Sequence, residues 1–87
     1  MKAMLFYRPN SEHELMVRQY VRDFARHTGK ELPLVDMNTP DGTYKAELYG
    51  IMKFPSIVAT DDEGKMLQMW SDELLPRFDE VSFYVES

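Results

Sequence analysis

The spacing of apolar side chains along the chain switches between strand-like and helix-like periods, which predicts an α/β domain. Residues 3–7 are continuously apolar and aromatic, a pattern typical of a strand buried on both faces. A helix that starts at the Ser11 segment is predicted to run to about Thr28 and to end at Gly29. The apolar side chains of that helix recur at spacings of three and four and form its predicted buried face: Met16, Val17, Tyr20, Val21, Phe24 and Ala25.

The middle of the chain predicts a short strand and a short helix. Residues 31–36 favour a strand, and Pro33 places it near a sheet edge because proline cannot donate a ladder hydrogen bond. Residues 38–42 are rich in turn formers and predict a loop. Residues 43–49 then predict about two helical turns that end at Gly50, where glycine tolerates a left-handed conformation.

The last third of the chain predicts a hairpin and a final helix. Residues 55–60 and 65–70 favour strands, and the intervening Asp61-Asp62-Glu63-Gly64 segment predicts a tight turn between them. Pro76 suits the first turn of a helix. The inner face of that helix is predicted to carry Phe78, Val81, Ser82 and Val85.

The resulting order, β-α-β-α-β-β-α, constrains how the strands pair. Two strands joined by a helix are expected to run parallel through a right-handed crossover, whereas hairpin strands must be antiparallel. We therefore expect a single α/β domain over residues 1–87, with a four-stranded mixed sheet and helices on both faces.

The segment Ser11-Glu12-His13-Glu14 has the pattern of a capping box at the start of the first helix. In that interpretation Ser11 accepts a hydrogen bond from the backbone N–H three residues later, and Glu14 accepts one from the N–H of Ser11. His13 is interpreted as an exposed histidine, because the segment lacks the i, i+4 ligand spacing of a helix-borne zinc pair. We expect no metal site and no cofactor.

Composition excludes several classes of function. The chain has no cysteine, so disulfides, thiol chemistry and thiolate metal sites are ruled out. Its net charge of −5 argues against a general nucleic-acid binder. It also lacks an apolar run long enough to span a membrane, and its first residues do not resemble a signal peptide, so we expect a cytoplasmic protein without a membrane anchor.

Two segments carry a resemblance to a known family. Tyr49-Gly50-Ile51, followed after two residues by Phe54-Pro55-Ser56-Ile57-Val58, resembles the thioredoxin-like superfamily around its cis-proline. Phe6-Tyr7-Arg8-Pro9-Asn10 is similar to the segment that leads into Cys-x-x-Cys in glutaredoxin-like members. The resemblance implies the thioredoxin-like fold, a cis Phe54–Pro55 bond, and Ser11 and Glu14 at the two former cysteine positions.

This resemblance leads to a binding hypothesis without redox chemistry. Serine and glutamate cannot exchange disulfides, so dithiol oxidoreductase activity is excluded. In the family, the residue before the cis-proline pairs with an extended substrate through backbone hydrogen bonds. We therefore expect a redox-inactive domain that binds a protein or peptide in a groove formed by Arg8, Pro9, Asn10, Ser11, Lys53, Phe54, Pro55 and Ser56.

Two alternatives remain open. The first is an enzyme that binds glutathione or another small thiol through Ser11, with the helix N-terminus stabilising the thiolate. The second is a structural subunit that binds its partner through the basic face of the first helix, formed by Arg18, Arg22 and Arg26.

Overall fold

A computed structural model describes residues 1–72 and 74–85 of the chain. The observed order of elements is the predicted one, with boundaries that differ by a few residues at several ends. The elements are β1 (Lys2–Tyr7), α1 (Glu14–Thr28), β2 (Leu34–Asp36), α2 (Pro40–Tyr49), β3 (Ser56–Thr60), β4 (Met66–Trp70) and α3 (Phe78–Ser82).

The four strands form one mixed sheet in the order β2-β1-β3-β4. Strand β1 runs parallel to β2 and antiparallel to β3, so that Leu5 lies opposite both Leu34 and Ile57. Strand β4 pairs with β3 in antiparallel register. The predicted four-stranded mixed sheet is therefore confirmed, as is the position of the second strand at an edge. That strand is shorter than predicted, because it begins at Leu34.

Alternate residues of the sheet feed two separate clusters. On one face Leu5 packs in a cluster with Val17 and Phe24 of α1 and with Val81 of α3. On the other face the cluster contains Phe6, Ala46, Ile51 and Val58, and so includes α2. Successive strand side chains point to opposite faces, which explains why the apolar run of β1 supplies both clusters.

Helix α1 ends as predicted at Thr28, followed by Gly29 in a left-handed conformation with φ of 71°. Val17 and Phe24 are fully buried, but Met16 is 40% exposed, so the predicted buried face is wrong at that residue. Met16 lies in the first turn of the helix, at the edge of an open cleft. Within residues 1–72 and 74–85, no helix is both long and apolar enough to cross a membrane.

Helix α2 begins at Pro40, three residues before the predicted start. The Thr39 side chain accepts a hydrogen bond from the Gly42 N–H at 3.0 Å and caps the helix, while Pro40 occupies its first turn. Residues 40–42 are therefore helical, and the loop predicted there is wrong. Threonine followed by proline fits a helix start as well as a turn, and the cap decides between them.

The predicted hairpin turn is confirmed between β3 and β4. One carboxylate oxygen of Asp61 accepts hydrogen bonds from the backbone N–H groups of Glu63 and Lys65, both at 2.9 Å. Gly64 has φ of 89°, a conformation that side chains oppose. The terminal ammonium of Met1 pairs with Asp62 at 2.8 Å, which brings the chain start to this turn.

Helix α3 begins at Phe78, two residues after Pro76, and has five residues. Arg77 is its N-cap, and the side chain of Glu80 accepts a hydrogen bond from the Arg77 N–H at 3.0 Å. Val81 and Val85 are buried and belong to the cluster that contains α1. The helix is thus shorter than its apolar pattern predicts, but Val81 and Val85 still pack into the core on the side of the sheet that α1 covers.

Candidate functional site

A cleft of about 600 Å³ opens at one end of the sheet, where β1 ends and β3 begins. We call it the Phe54 cleft. Its walls come from the start of α1, from the segment before β3 and from the segment after β4. The lining residues are His13, Met16, Lys53, Phe54, Pro55, Ser71 and Asp72.

The segment before β3 has a fixed local structure. The Phe54–Pro55 peptide bond is cis. The Ser56 hydroxyl, which is fully buried, donates a hydrogen bond to the carbonyl oxygen of Lys53 at 2.5 Å. The hydrogen bond from Ser56 to Lys53 closes a short turn over Phe54 and Pro55. Pro55 is itself buried. The position of Phe54 at the cleft is therefore set by the entry of the chain into the sheet.

The backbone of Phe54 has unused hydrogen-bonding capacity. Across residues 1–72 and 74–85, no protein group bonds to its N–H or its C=O. Each non-proline residue carries one strong backbone donor and one acceptor, which a folded chain normally pairs with protein or water. Phe54 thus carries a backbone donor and a backbone acceptor that no group of the described chain pairs with.

A cation–π contact joins the loop after β1 to this segment. The guanidinium carbon of Arg8 lies 4.7 Å from the centroid of the Phe54 ring, a distance at which a cation is attracted to the ring face. Neither Arg8 nor Lys53 forms an ion pair with a carboxylate of the described chain. Lys53 in the lining and Arg8 over the Phe54 ring are therefore two cations without an ion-pair partner in the described chain.

The loop over residues 8–13 is closed by side chains, but not as a capping box. Glu14 accepts a hydrogen bond from the N–H of Asn10 at 2.6 Å instead of from that of Ser11. The Ser11 hydroxyl donates to the carbonyl oxygen of Arg8 at 2.5 Å, and the N-cap is His13, without a side-chain cap bond. The predicted capping box is wrong because Asn10 has φ of 59°, which turns the chain so that its own N–H faces Glu14.

His13 also has a different place from the one predicted. Its Nε2 atom accepts a hydrogen bond from the Arg8 N–H at 3.1 Å, and the side chain is half-buried at the cleft. Accepting at Nε2 requires a ring tautomer without a proton on that nitrogen. The histidine therefore connects the helix start to Arg8 and is not a simple surface residue.

Glu14 is the centre of an ionic network beneath the loop. Arg18 donates to its carboxylate at 2.9 Å and to the Tyr7 hydroxyl at 3.2 Å. The Asn10 N–H, followed by the Arg18 hydrogen bond, lowers the pKa of Glu14 below its ordinary value. The network holds the loop against the end of β1 and engages Arg18, while Arg22 lies 3.6 Å from Asp23. Two of the three arginines in the alternative binding face are thus already next to carboxylates.

The structure brings part of the predicted groove together. Lys53, Phe54 and Pro55 line the cleft, and Arg8 reaches it through the Phe54 ring. Ser56 lies buried below, while Pro9, Asn10, Ser11 and Glu14 belong to the adjoining loop and helix start, outside the lining.

Sequence reasoning missed the lining residues His13, Met16, Ser71 and Asp72. His13 alone had a usable signal, since its position at a predicted helix start placed it near the groove.

The polar side chains of Ser11 and His13 at the helix start already form hydrogen bonds within the chain. The Ser11 hydroxyl donates to a backbone carbonyl, and Nε2 of His13 is occupied by the Arg8 N–H. No group of three histidine, cysteine or acidic side chains in the described chain is placed to hold a metal ion.

No protein-family model matches the sequence, and no curated protein matches it significantly.

Proposed function

We propose that this chain is a redox-inactive, thioredoxin-like domain that binds an extended segment of a partner protein or peptide in the Phe54 cleft. The observation that carries the proposal is the unpaired backbone N–H and C=O of Phe54 beside an open cleft. An extended peptide that pairs with both groups would bind by strand addition, in which backbone bonds give affinity and pockets give specificity.

The cleft lining supports a peptide as the ligand. The Phe54 ring and the partly exposed side chain of Met16 offer an apolar surface for one peptide side chain. Methionine is flexible and polarizable, and so adapts to side chains of different shape. Lys53 supplies a cation and Asp72 an anion to the lining, and Arg8 lies over the Phe54 ring. A bound peptide would therefore place one apolar side chain against Phe54 and Met16, close to the charged groups of Lys53 and Asp72.

The family assignment is part of the proposal. The observed element order and the four-stranded mixed sheet are compatible with a thioredoxin-like fold. Ser11 and Glu14 take the positions of the two cysteines in the family motif, and the chain has no cysteine elsewhere. Such a domain keeps the peptide-binding surface of its family and lacks the sulfur needed to transfer electrons.

A glutathione-binding enzyme receives less support from the geometry. Ser11 would have to donate its proton to a thiolate, but that proton is directed to the Arg8 carbonyl oxygen. The carboxylate of Glu14 adds negative charge at the same helix start. Titration with millimolar glutathione, followed by two-dimensional NMR, tests this alternative directly. Saturable shifts at Ser11, Phe54 and Ser56 would favour the enzyme over the peptide-binding domain.

The proposal can be tested without a known partner. Peptides selected from a random display library on the wild-type protein are synthesised, and their affinities are measured by calorimetry for the wild type and two variants. Phe54→Ala removes the ring that lines the cleft, and we expect it to weaken binding at least about tenfold. Met52→Ala removes a side chain that is 88% exposed two residues away, and we expect affinity within about twofold of wild type.

Measurements on these variants can also contradict the proposal. Selected peptides whose affinity is unchanged by Phe54→Ala would place binding elsewhere on the domain. If charge reversal at Arg22 and Arg26 abolished that affinity, the helix face would be the binding surface instead. Circular dichroism and thermal unfolding of each variant show that it remains folded.

A further inference from the structure

A second cleft lies between β4 and the segment that contains α3. We call it the aromatic cleft. It has a volume of about 280 Å³ and shares no lining residue with the Phe54 cleft. Its lining residues are Gln68, Trp70, Asp79, Glu80, Phe83 and Tyr84.

Three aromatic rings line this cleft in perpendicular orientations. The rings of Trp70 and Tyr84 lie 5.6 Å apart at 69°, and those of Phe83 and Tyr84 lie 5.0 Å apart at 86°. Rings at such angles direct their negative faces in more than one direction. In the described chain, no arginine or lysine lies over any of the three, and Phe83 is 68% exposed.

The acidic residues of the cleft differ in how far they are neutralised. Both carboxylate oxygens of Asp79 accept hydrogen bonds from the Arg77 side chain, at 3.1 and 3.0 Å. One oxygen of Glu80 accepts the Arg77 backbone N–H, and its other oxygen has no partner in residues 1–72 and 74–85. Glu80 thus retains an acceptor for a cation that enters the cleft.

We propose that the aromatic cleft binds a basic side chain of a partner polypeptide, and that it prefers arginine to lysine. A cation over an aromatic face is attracted by the ring quadrupole. A guanidinium is planar, so it can stack on a ring while its N–H groups reach the free oxygen of Glu80. The chain's net charge of −5 adds long-range attraction for a basic partner.

This inference does not rest on the proposed function of the Phe54 cleft. The two clefts are adjacent along the chain, because Trp70 lines one and Ser71 and Asp72 line the other. The two clefts share no lining residue, so each can be tested separately. The experiment uses a single amino-acid derivative, which cannot bind by strand addition.

Trp70 is the only tryptophan of the chain and reports on this cleft directly. Its fluorescence is followed while N-acetyl-arginine amide is added at constant ionic strength. N-acetyl-citrulline amide has nearly the same shape without the charge, and N-acetyl-lysine amide has the charge without the planar group. We expect saturable binding of the arginine compound, weaker binding of the lysine compound and no binding of the citrulline compound.

Three variants locate the binding. Phe83→Leu removes a ring at an exposed position, and Glu80→Gln removes the charge but keeps an oxygen that can cap α3. We expect each to weaken binding of the arginine compound about two- to fivefold. Met52→Ala replaces an exposed side chain that lines neither cleft, and should leave it unchanged. Equal binding of arginine and citrulline compounds, or no binding of either, would overturn the proposal, and lysine binding as tight as arginine binding would overturn the stated preference.

Discussion

The two ends of the sheet differ in how fully their backbone N–H and C=O groups are hydrogen-bonded. One end of the sheet carries the β3–β4 turn, and we call it the turn end. There the Asp61 carboxylate accepts hydrogen bonds from the backbone N–H groups of Glu63 and Lys65. At the opposite end, the cleft end, side chains also close the loop before α1, yet Phe54 keeps its backbone N–H and C=O unpaired. The comparison teaches that backbone groups can stay unpaired where a segment enters the sheet without a local partner, even beside a tightly bonded loop.

The largest expected effect tests how tightly the cleft end is packed. At Gly42 an added Cβ would overlap the backbone carbonyl of Asp36, at the end of β2. We expect Gly42→Ala to lower the free energy of unfolding by about 3 kcal/mol, because backbone must move to accommodate it. At the turn end, Gly64 has open space but φ of 89°, so Gly64→Ala should cost about 1 kcal/mol. Urea unfolding measures both, and equal losses would contradict the packing difference.

The next effect tests the turn end. Asp61→Ala leaves two backbone N–H groups without their acceptor, and we expect a loss of about 1–2 kcal/mol in the free energy of unfolding. Asp62→Ala is the matched control, because Asp62 is an exposed partner of the terminal ammonium. Its loss should be smaller, since exposed ion pairs contribute little. If the two alanine variants were equally stable, the side-chain closure of this turn would not be important.

A smaller effect is expected at the loop before α1. Ser11→Ala removes one exposed hydrogen bond to the Arg8 carbonyl, which corresponds to about 0.5 kcal/mol. Thr39→Ala removes a true helix cap and should cost about 1 kcal/mol. Chemical denaturation of both variants checks the order, and a larger loss at Ser11 would mean that serine caps α1 after all.

The smallest effect concerns pH and the network around Glu14. The pKa of Glu14 is lowered from 4.5 in the folded chain, first by the Asn10 N–H and then by Arg18. A lowered folded-state pKa contributes stability that is present above pH 4.5 and lost as the pH falls through the folded value. Glu14→Gln should therefore lose less stability than wild type on acidification below that pH. Parallel curves of unfolding free energy against pH would contradict the network.

Most of the fold follows from local patterns in the sequence. The apolar run of β1, the helical period of α1 and the Asp61–Gly64 turn each carry one dominant signal, and all three elements form. Helix α1 begins at Glu14, later than the cap predicted at Ser11 implies. The start of α2 was missed because residues 38–42 carry turn and helix-start signals together. Only the hydrogen bond between Thr39 and Gly42 separates the two.

The candidate site was less predictable because it is assembled from distant segments. Lys53, Phe54 and Pro55 are contiguous, so one motif could place them together. Ser71 and Asp72 reach the cleft only through the pairing of β4 with β3, which no local pattern encodes. The capping at Glu14 was misplaced because it depends on the left-handed backbone of Asn10.

The most direct test of the central claim probes the backbone of Phe54 itself. A peptide selected on the wild-type protein is resynthesised with one N-methylated amide at a time, and its affinity for the domain is measured by calorimetry. We predict that methylation of the amide that donates to the Phe54 carbonyl weakens binding at least about tenfold, while methylation of the adjacent amides has a much smaller effect. Equal effects at all positions would contradict strand addition in the Phe54 cleft.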